Sequence, residues 1–321
     1  MIKISGQQIL DELGGPINIS GIGTGTWEMG RIDDVNLMVS VGAMSGRIVH
    51  RWNGDYSGFR TDSLDDSDSG RWHTSVDYVN RLKQYVQLHR DAGLRVNLAL
   101  DSNNGQGKRG LDGWDFWSLD VPEARQRRRQ FIKMAAYLAR EIKPDFMEPI
   151  VEPRSIRSAP VDVWKFQEQV MDAVLASSPD MLFIIGGYRS YHPEDVDNFY
   201  NPAWAEKYPD KIVLTANFLS ARVCNPAENL PHLDRMAEVA SKFKLPAHIQ
   251  QFGSTSQDDP DCGYLDQFCK EMRLRNISGT LWEAVSIWPS FGLSYLERPH
   301  DINSRHIEVA ERIEVIRWWL K

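Results

Sequence analysis

The chain has 321 residues, a formal net charge of −7, 42% hydrophobic and 25% charged residues. That balance fits an ordinary folded globular protein and excludes a disordered chain. The acidic excess argues against nucleic acid as the main partner, because phosphate binding needs basic patches.

The opening stretch, MIKISGQQILDELGG, reads as a β-hairpin with a Gly-Gln turn and a Gly-Gly exit. It has one lysine and no long apolar core, so it does not read as a signal peptide. No run of 18 apolar residues follows, so no membrane span is expected. The expected location is the cytoplasm, release by a route that needs no signal, or secretion with the signal already removed.

Beyond the hairpin, short β-rich runs alternate with longer helical patterns. The runs cover 17–23, 47–53, 95–101, 145–153, 181–187, 211–219, 247–253 and 277–285. Stretches with 3.6-residue periodicity lie near 75–92, 121–142, 161–177, 232–243, 263–275 and 304–320. Less regular helical patterns cover 33–43 and 193–208. Near-continuous apolar strands alternating with amphipathic helices imply a parallel sheet, and eight such units imply a (β/α)8 TIM barrel. A doubly wound open sheet has no reason to stop at eight units. Gly21-Ile-Gly-Thr-Gly25 is the nearest approach to a nucleotide-binding turn, and its spacing is wrong. One domain over 1–321 is expected, with the hairpin closing the bottom of the barrel and no cofactor.

Chemistry in such a barrel sits at the C-terminal ends of the strands. The residues there are Trp27 and Glu28, Arg51 to Asn53, Asp101 to Asn104, Glu152 and Arg154, Tyr188, Asn217, Gln251, Trp282 and Glu283. Carboxylates, amides, an arginine and large aromatics together suit a sugar site, since sugars offer hydroxyls to polar groups and ring faces to aromatic platforms. Side chains alternate along a strand, so Gln251 is expected to face the barrel axis and Gln250 the helices. By the same rule His50 faces away from the site.

These strand ends, in order, resemble glycoside hydrolase family 5, the cellulase and mannanase group of clan A. The start SGQQILDELGGPINISGIGTGTWE resembles the family's small hairpin and Gly-x-Asn-x-Gly-x-Trp first strand. Glu152-Pro153 in FMEPIVEPRS matches the acid/base glutamate and its proline. Arg51 matches the arginine ending strand two, HIQQFGS matches the Glu-Phe-Gly motif of strand seven, and Trp282 fits the sugar-stacking tryptophan of strand eight. The resemblance implies an O-glycosyl hydrolase, expected as a monomer, that takes a polysaccharide or oligosaccharide. Glu152 is its expected acid/base, and Arg51, Asp101, Asn217, Trp27, Trp52, Trp282 and Glu283 line the substrate cleft.

The sequence also departs from the family. Val151 stands where the family has Asn before the acid/base. Asn217 and Leu219 stand where it has His and Tyr, and Asp101 replaces a His. Gln251 occupies the position of the nucleophile. Retaining glycosidases need two carboxyl groups, and an amide cannot be one of them. Four accounts follow. Gln251 is an engineered substitute for Glu; Asp101 or Glu283 activates a water and the reaction inverts; an N-acetyl group of the substrate is the nucleophile; or the barrel binds glycan without cleaving it. Glu148, four residues before Glu152 on one extended strand, is expected to lie about 13 Å below it.

Other chemistries find little support. Eight scattered histidines form no HExxH or two-His-one-carboxylate pattern, so no metal is expected. No Gly-x-Ser-x-Gly elbow is present, and Ser254 to Ser256 read as a loop or helix cap. Cys224, Cys262 and Cys269 fit no zinc motif or disulfide framework and are expected as thiols. Arg125 to Arg129 read as a solvated helix face, with a polyanion contact as the alternative. The loop 103–110 reads as a flexible turn, either a solvent loop or one that closes over substrate, and the acidic 62–70 run as a rim loop without EF-hand spacing.

Overall fold

A computed structural model describes residues 2–24, 32–51, 76–101, 122–153, 160–187, 191–220, 226–286, 291–297 and 305–321. Its centre is a closed barrel of eight parallel strands. These are β3 (Gly21–Gly23), β4 (Ser45–Arg51), β5 (Arg95–Asp101), β6 (Phe146–Glu148), β7 (Leu182–Ile185), β8 (Ile212–Ser220), β9 (Ala247–Ser254) and β10 (Ser278–Leu281). Each pairs with its neighbour in chain order, and β10 closes on β3. The expected (β/α)8 barrel is the observed fold.

The layer outside the strands holds α1 (Ile32–Val41), α2 (Val76–Asp91), α3 (Pro122–Ile142), α4 (Pro160–Ser177), the short α5 (Trp204–Lys207), α6 (Pro226–Phe243), α7 (Gly263–Leu274) and α8 (Ala310–Leu320). The pattern over 193–208 resolves into a 3-10 turn, Pro193–Asn198, followed by α5. Outward residues of the strands and inward residues of the helices form one continuous apolar cluster, as when Phe252 meets Phe268 of α7 and Trp319 of α8. A small three-stranded sheet, β11 (Val285–Ser286), β12 (Ser294–Leu296) and β13 (His306–Glu308), precedes the last helix. The sequence pattern had merged β10 with β11 and β13 with α8.

The hairpin β1 (Lys3–Ser5) and β2 (Gln8–Leu10) turns at Gly6, whose φ of 56° a side chain would disfavour. Ile2, Ile4 and Ile9 pack with Ile19, Phe146, Leu182, Ile184 and Val213 in a second apolar cluster. Phe146 and Leu182 begin their strands, so the hairpin covers the N-terminal end of the barrel, as expected.

Close packing between β3 and β4 depends on one glycine. A Cβ on Gly21 would lie 2.0 Å from the Ser45 carbonyl oxygen. Backbone cannot yield as a flexible side chain can, so Gly21→Ala is expected to destabilise the fold by about 1–3 kcal/mol, read from the denaturant midpoint.

Candidate active site

The interior of the barrel is charged. Arg47 of β4 donates from Nη2 and Nε to the Glu148 carboxylate of β6 at 3.0 and 3.2 Å, and both side chains are fully buried. Gln250 of β9 donates to the same carboxylate. These three strands are not neighbours in the barrel, so their contacts cross its interior. Burial pushes the Glu148 carboxyl up to about 7, against the opposing pull of the Arg47 guanidinium and the Gln250 amide. His248 lies beside them, its ring nitrogens 2.8 Å from Ser278 Oγ and 2.9 Å from Thr280 Oγ1.

Both glutamines of β9 therefore point inward, contrary to simple alternation. The register explains why. Ile249 pairs with Ala216 and Gly279, whereas Gln251 pairs with Asn217 and Phe252 with Leu281. The strand carries one extra residue between Ile249 and Phe252, a β-bulge that turns two successive side chains to one face. Ile249 and Phe252 remain in the apolar layer, with Gln250 and Gln251 inside.

The bend carrying Glu152 is a second departure. Pro149 has no N–H for the ladder, so β6 ends at Glu148 instead of running on to residue 153. The chain turns, Val151 N–H returns to the Leu100 carbonyl at 2.7 Å, and Glu152 adopts φ 42°. The extended-strand separation expected between Glu148 and Glu152 does not apply across this bend. Tyr191, fully buried, donates to the Ile150 carbonyl and braces the turn. Gly186 makes room for it, since a Cβ there would lie 2.4 Å from the tyrosine ring.

Above the charged pair, Asn217, Gln251 and Glu152 converge. Asn217 Nδ2 donates to Glu152 Oε1 at 2.7 Å. One orientation of the Gln251 carboxamide leaves its oxygen 3.4 Å from Asn217 Nδ2 and its nitrogen toward the donor-only guanidinium of Arg47. The other lets the oxygen accept from Arg47 at 3.1 and 3.3 Å while the nitrogen donates to Glu152 Oε1 at 2.9 Å. The second gives both ends of the Gln251 carboxamide a partner, and the partners decide the assignment. Glu152 then receives two amide donors, an arrangement suited to a carboxylate.

The remaining strand-end residues divide. Trp282 is half-buried and its ring lies 5.9 Å from the Arg47 guanidinium. Asp101 is buried at the end of β5, and Glu283 is buried between β10 and β11. Arg51 pairs in register with Asp101, but its side chain, like Trp27, Glu28, Trp52, Asn53, Asn103 to Gly110, Arg154 and Tyr188, lies outside the described residues, as do Cys224 and the 62–70 run. Arg47 is the arginine that reaches Gln251. A charged residue inside the strand run GRIVHR was the available signal. Glu148, Gln250 and Tyr191 are further members of the network that strand-end reading did not select.

Elsewhere, His50 faces outward as expected, its Nε2 3.2 Å from Met134 Sδ of α3. Ser254 donates to Asp259, which caps α7 by accepting from the N–H groups of Tyr264 and Leu265 at 3.0 Å. Cys262 and Cys269 are free thiols. Arg125, Arg128 and Arg129 line a pocket of about 250 Å³ between α3 and α4, with Lys165 opposite. Among the described residues no group of His, Cys, Asp and Glu could hold a metal, and no helix is long and apolar enough to cross a membrane.

No protein-family profile matches the chain, and no curated protein matches it in sequence. Solved structures do. Thermotoga maritima Cel5A in complex with cellobiose aligns with a TM-score of 0.71 at 14% identity, over 93% of this chain and 97% of that one. The same enzyme with mannotriose gives 0.66 at 13% identity, over 89% and 90%. The catalytic domain of Thermobifida fusca endoglucanase Cel5A (E5) gives 0.64 at 17% identity, over 100% and 97%. At these identities the likeness is one of fold: the chain is a (β/α)8 barrel built like those of these endoglucanases.

Proposed function

We propose that this protein is an O-glycosyl hydrolase acting on a polysaccharide or oligosaccharide by single displacement, with Glu152 as the proton-transfer group. The observation that carries this reading is the Gln251 carboxamide, hydrogen-bonded on one side to Arg47 and on the other to Glu152. An amide so held supports Glu152 and cannot attack carbon, so no covalent glycosyl-enzyme forms. A water takes the place of the nucleophile, with Asp101 or Glu283 as its base, both buried carboxylates. Inversion requires the two carboxyl groups to stand about 6.5–9.5 Å apart. Trp27, Trp52 and Trp282 serve as sugar platforms, with Arg51 and Asn217 as polar contacts. The barrel likeness to enzymes crystallised with cellobiose and mannotriose supports β-linked glucans and mannans as the first substrates to try.

A second reading, glycan binding without cleavage, draws on the same carboxylate. Glu152 Oε1 accepts from the Asn217 and Gln251 amides, a set of polar groups that can hold sugar hydroxyls without any bond being broken.

The chain as it stands and Gln251→Glu, compared on a glycan panel for new reducing ends, separate these readings. The expected result is product from the unaltered chain and no gain in Gln251→Glu. A gain of about 100-fold or more would make the glutamine a disabled nucleophile. No product from either would favour the binding reading.

A further inference from the structure

We propose that Glu148 is a positioning residue that acts through Arg47 to fix which end of the Gln251 carboxamide faces Glu152. Arg47 has only donors to offer, and its guanidinium is anchored by two hydrogen bonds to one fully buried carboxylate oxygen of Glu148. Its Nη1 and Nη2 meet the Gln251 oxygen at 3.1 and 3.3 Å, with Nη2 shared between Gln251 and Glu148. That contact forces the amide nitrogen toward Glu152. Gln250 and the β-bulge complete the arrangement, because Gln250 donates to Glu148 and the extra residue brings Gln251 to the same face.

The chain from Glu148 through Arg47 and Gln251 to Glu152 runs across the barrel on strands β4, β6 and β9. Without the Glu148 charge, the guanidinium loses its anchor and turns toward other acceptors. The carboxamide is then free to rotate, and in its other orientation its oxygen faces Asn217 while Glu152 loses one donor. Tyr191 holds the backbone turn that carries Glu152, so Glu148 controls the donor and Tyr191 the acceptor of the same hydrogen bond.

The kinetic part of this inference rests on the hydrolase reading; the structural part does not. The direct test is NMR of protein labelled with 15N-glutamine, with the Gln251 side-chain resonance assigned by its loss in Gln251→Leu. In the unaltered chain, the Gln251 NH2 hydrogens are expected to be inequivalent and slow to exchange with water. At about pH 8, where the Glu148 carboxyl is ionised, the exchange in Glu148→Gln is expected to rise by about tenfold or more. In the same variant kcat on any active glycan should fall by about tenfold while KM stays within about twofold. Since Glu148→Gln leaves Arg47 buried without a counter-charge, the double variant Arg47→Met with Glu148→Gln provides a neutral pair, and it should show the same fast exchange. An unchanged Gln251 resonance in a folded form of either variant would overturn the inference. Absence of glycan cleavage would leave the NMR comparison to decide it alone.

Discussion

Glu152→Gln is expected to lower glycan turnover by about 10²–10⁴-fold, the usual contribution of a positioned acid or base. The substitution keeps the size of the side chain, and its amide oxygen can still accept from Asn217, which now meets Glu152 Oε1 at 2.7 Å. The backbone turn is held independently by the Tyr191 contact to Ile150. Proton transfer is therefore the main quantity lost, and glycan affinity should stay within about threefold, the pattern of an interaction made in the transition state. Initial rates and calorimetric affinities measured on the same preparation check both halves. A rate within tenfold of the unaltered chain would remove Glu152 from the chemistry.

The second large effect is on stability in acid. His50 and His248 are fully enclosed, and burial holds each near 3, with the Arg47 charge adding to the effect at His248. Their folded pKa values lie below the ordinary 6.5, so the unfolded chain binds more protons between those limits. Stability is then present above about 6.5 and is lost as pH falls, by about 2 kcal/mol for each histidine at pH 5. Glu148 works in the opposite direction. Its folded pKa of about 7 exceeds the ordinary 4.5, so it contributes stability below 4.5 that is lost as pH rises through 7. The groups facing it are Arg47, Gln250, Glu152 and Tyr191. Between pH 7.5 and 5 the carboxyl offsets about 2 kcal/mol of the histidine loss. Glu148→Gln should therefore lose stability more steeply over that interval than the unaltered chain, by about 2 kcal/mol in urea titrations. Parallel pH curves would contradict the assignment of a raised Glu148.

Much of this fold was legible in the sequence because each strand-helix unit is local. RVNLALD is an apolar run of strand length, and it is β5 over the same residues. Ile4 stands between Lys3 and Ser5 in the hairpin, and with Ile2 and Ile9 it covers the barrel floor. The errors arose where one residue changes local geometry. Pro149 ends β6 at Glu148, so a straight-strand spacing from Glu148 to Glu152 does not apply. The bulge in AHIQQFGS reverses the phase of Gln250, a feature of pairing with β8 and β10 that a single strand does not reveal. The Arg47–Glu148 pair spans 101 residues of sequence, so spacing gave no hint that the two touch. At the candidate site the strand-end rule selected Glu152, Asn217, Gln251 and Trp282 but not Arg47, Glu148 and Gln250, which touch one another beneath them.

The most direct measurement is proton NMR of the first product formed from a β-linked oligosaccharide. The anomer is followed before it equilibrates, and an amide at position 251 together with a water as nucleophile requires the α-anomer to appear first. Initial formation of the β-anomer would mean retention, and with it a nucleophile that this account excludes.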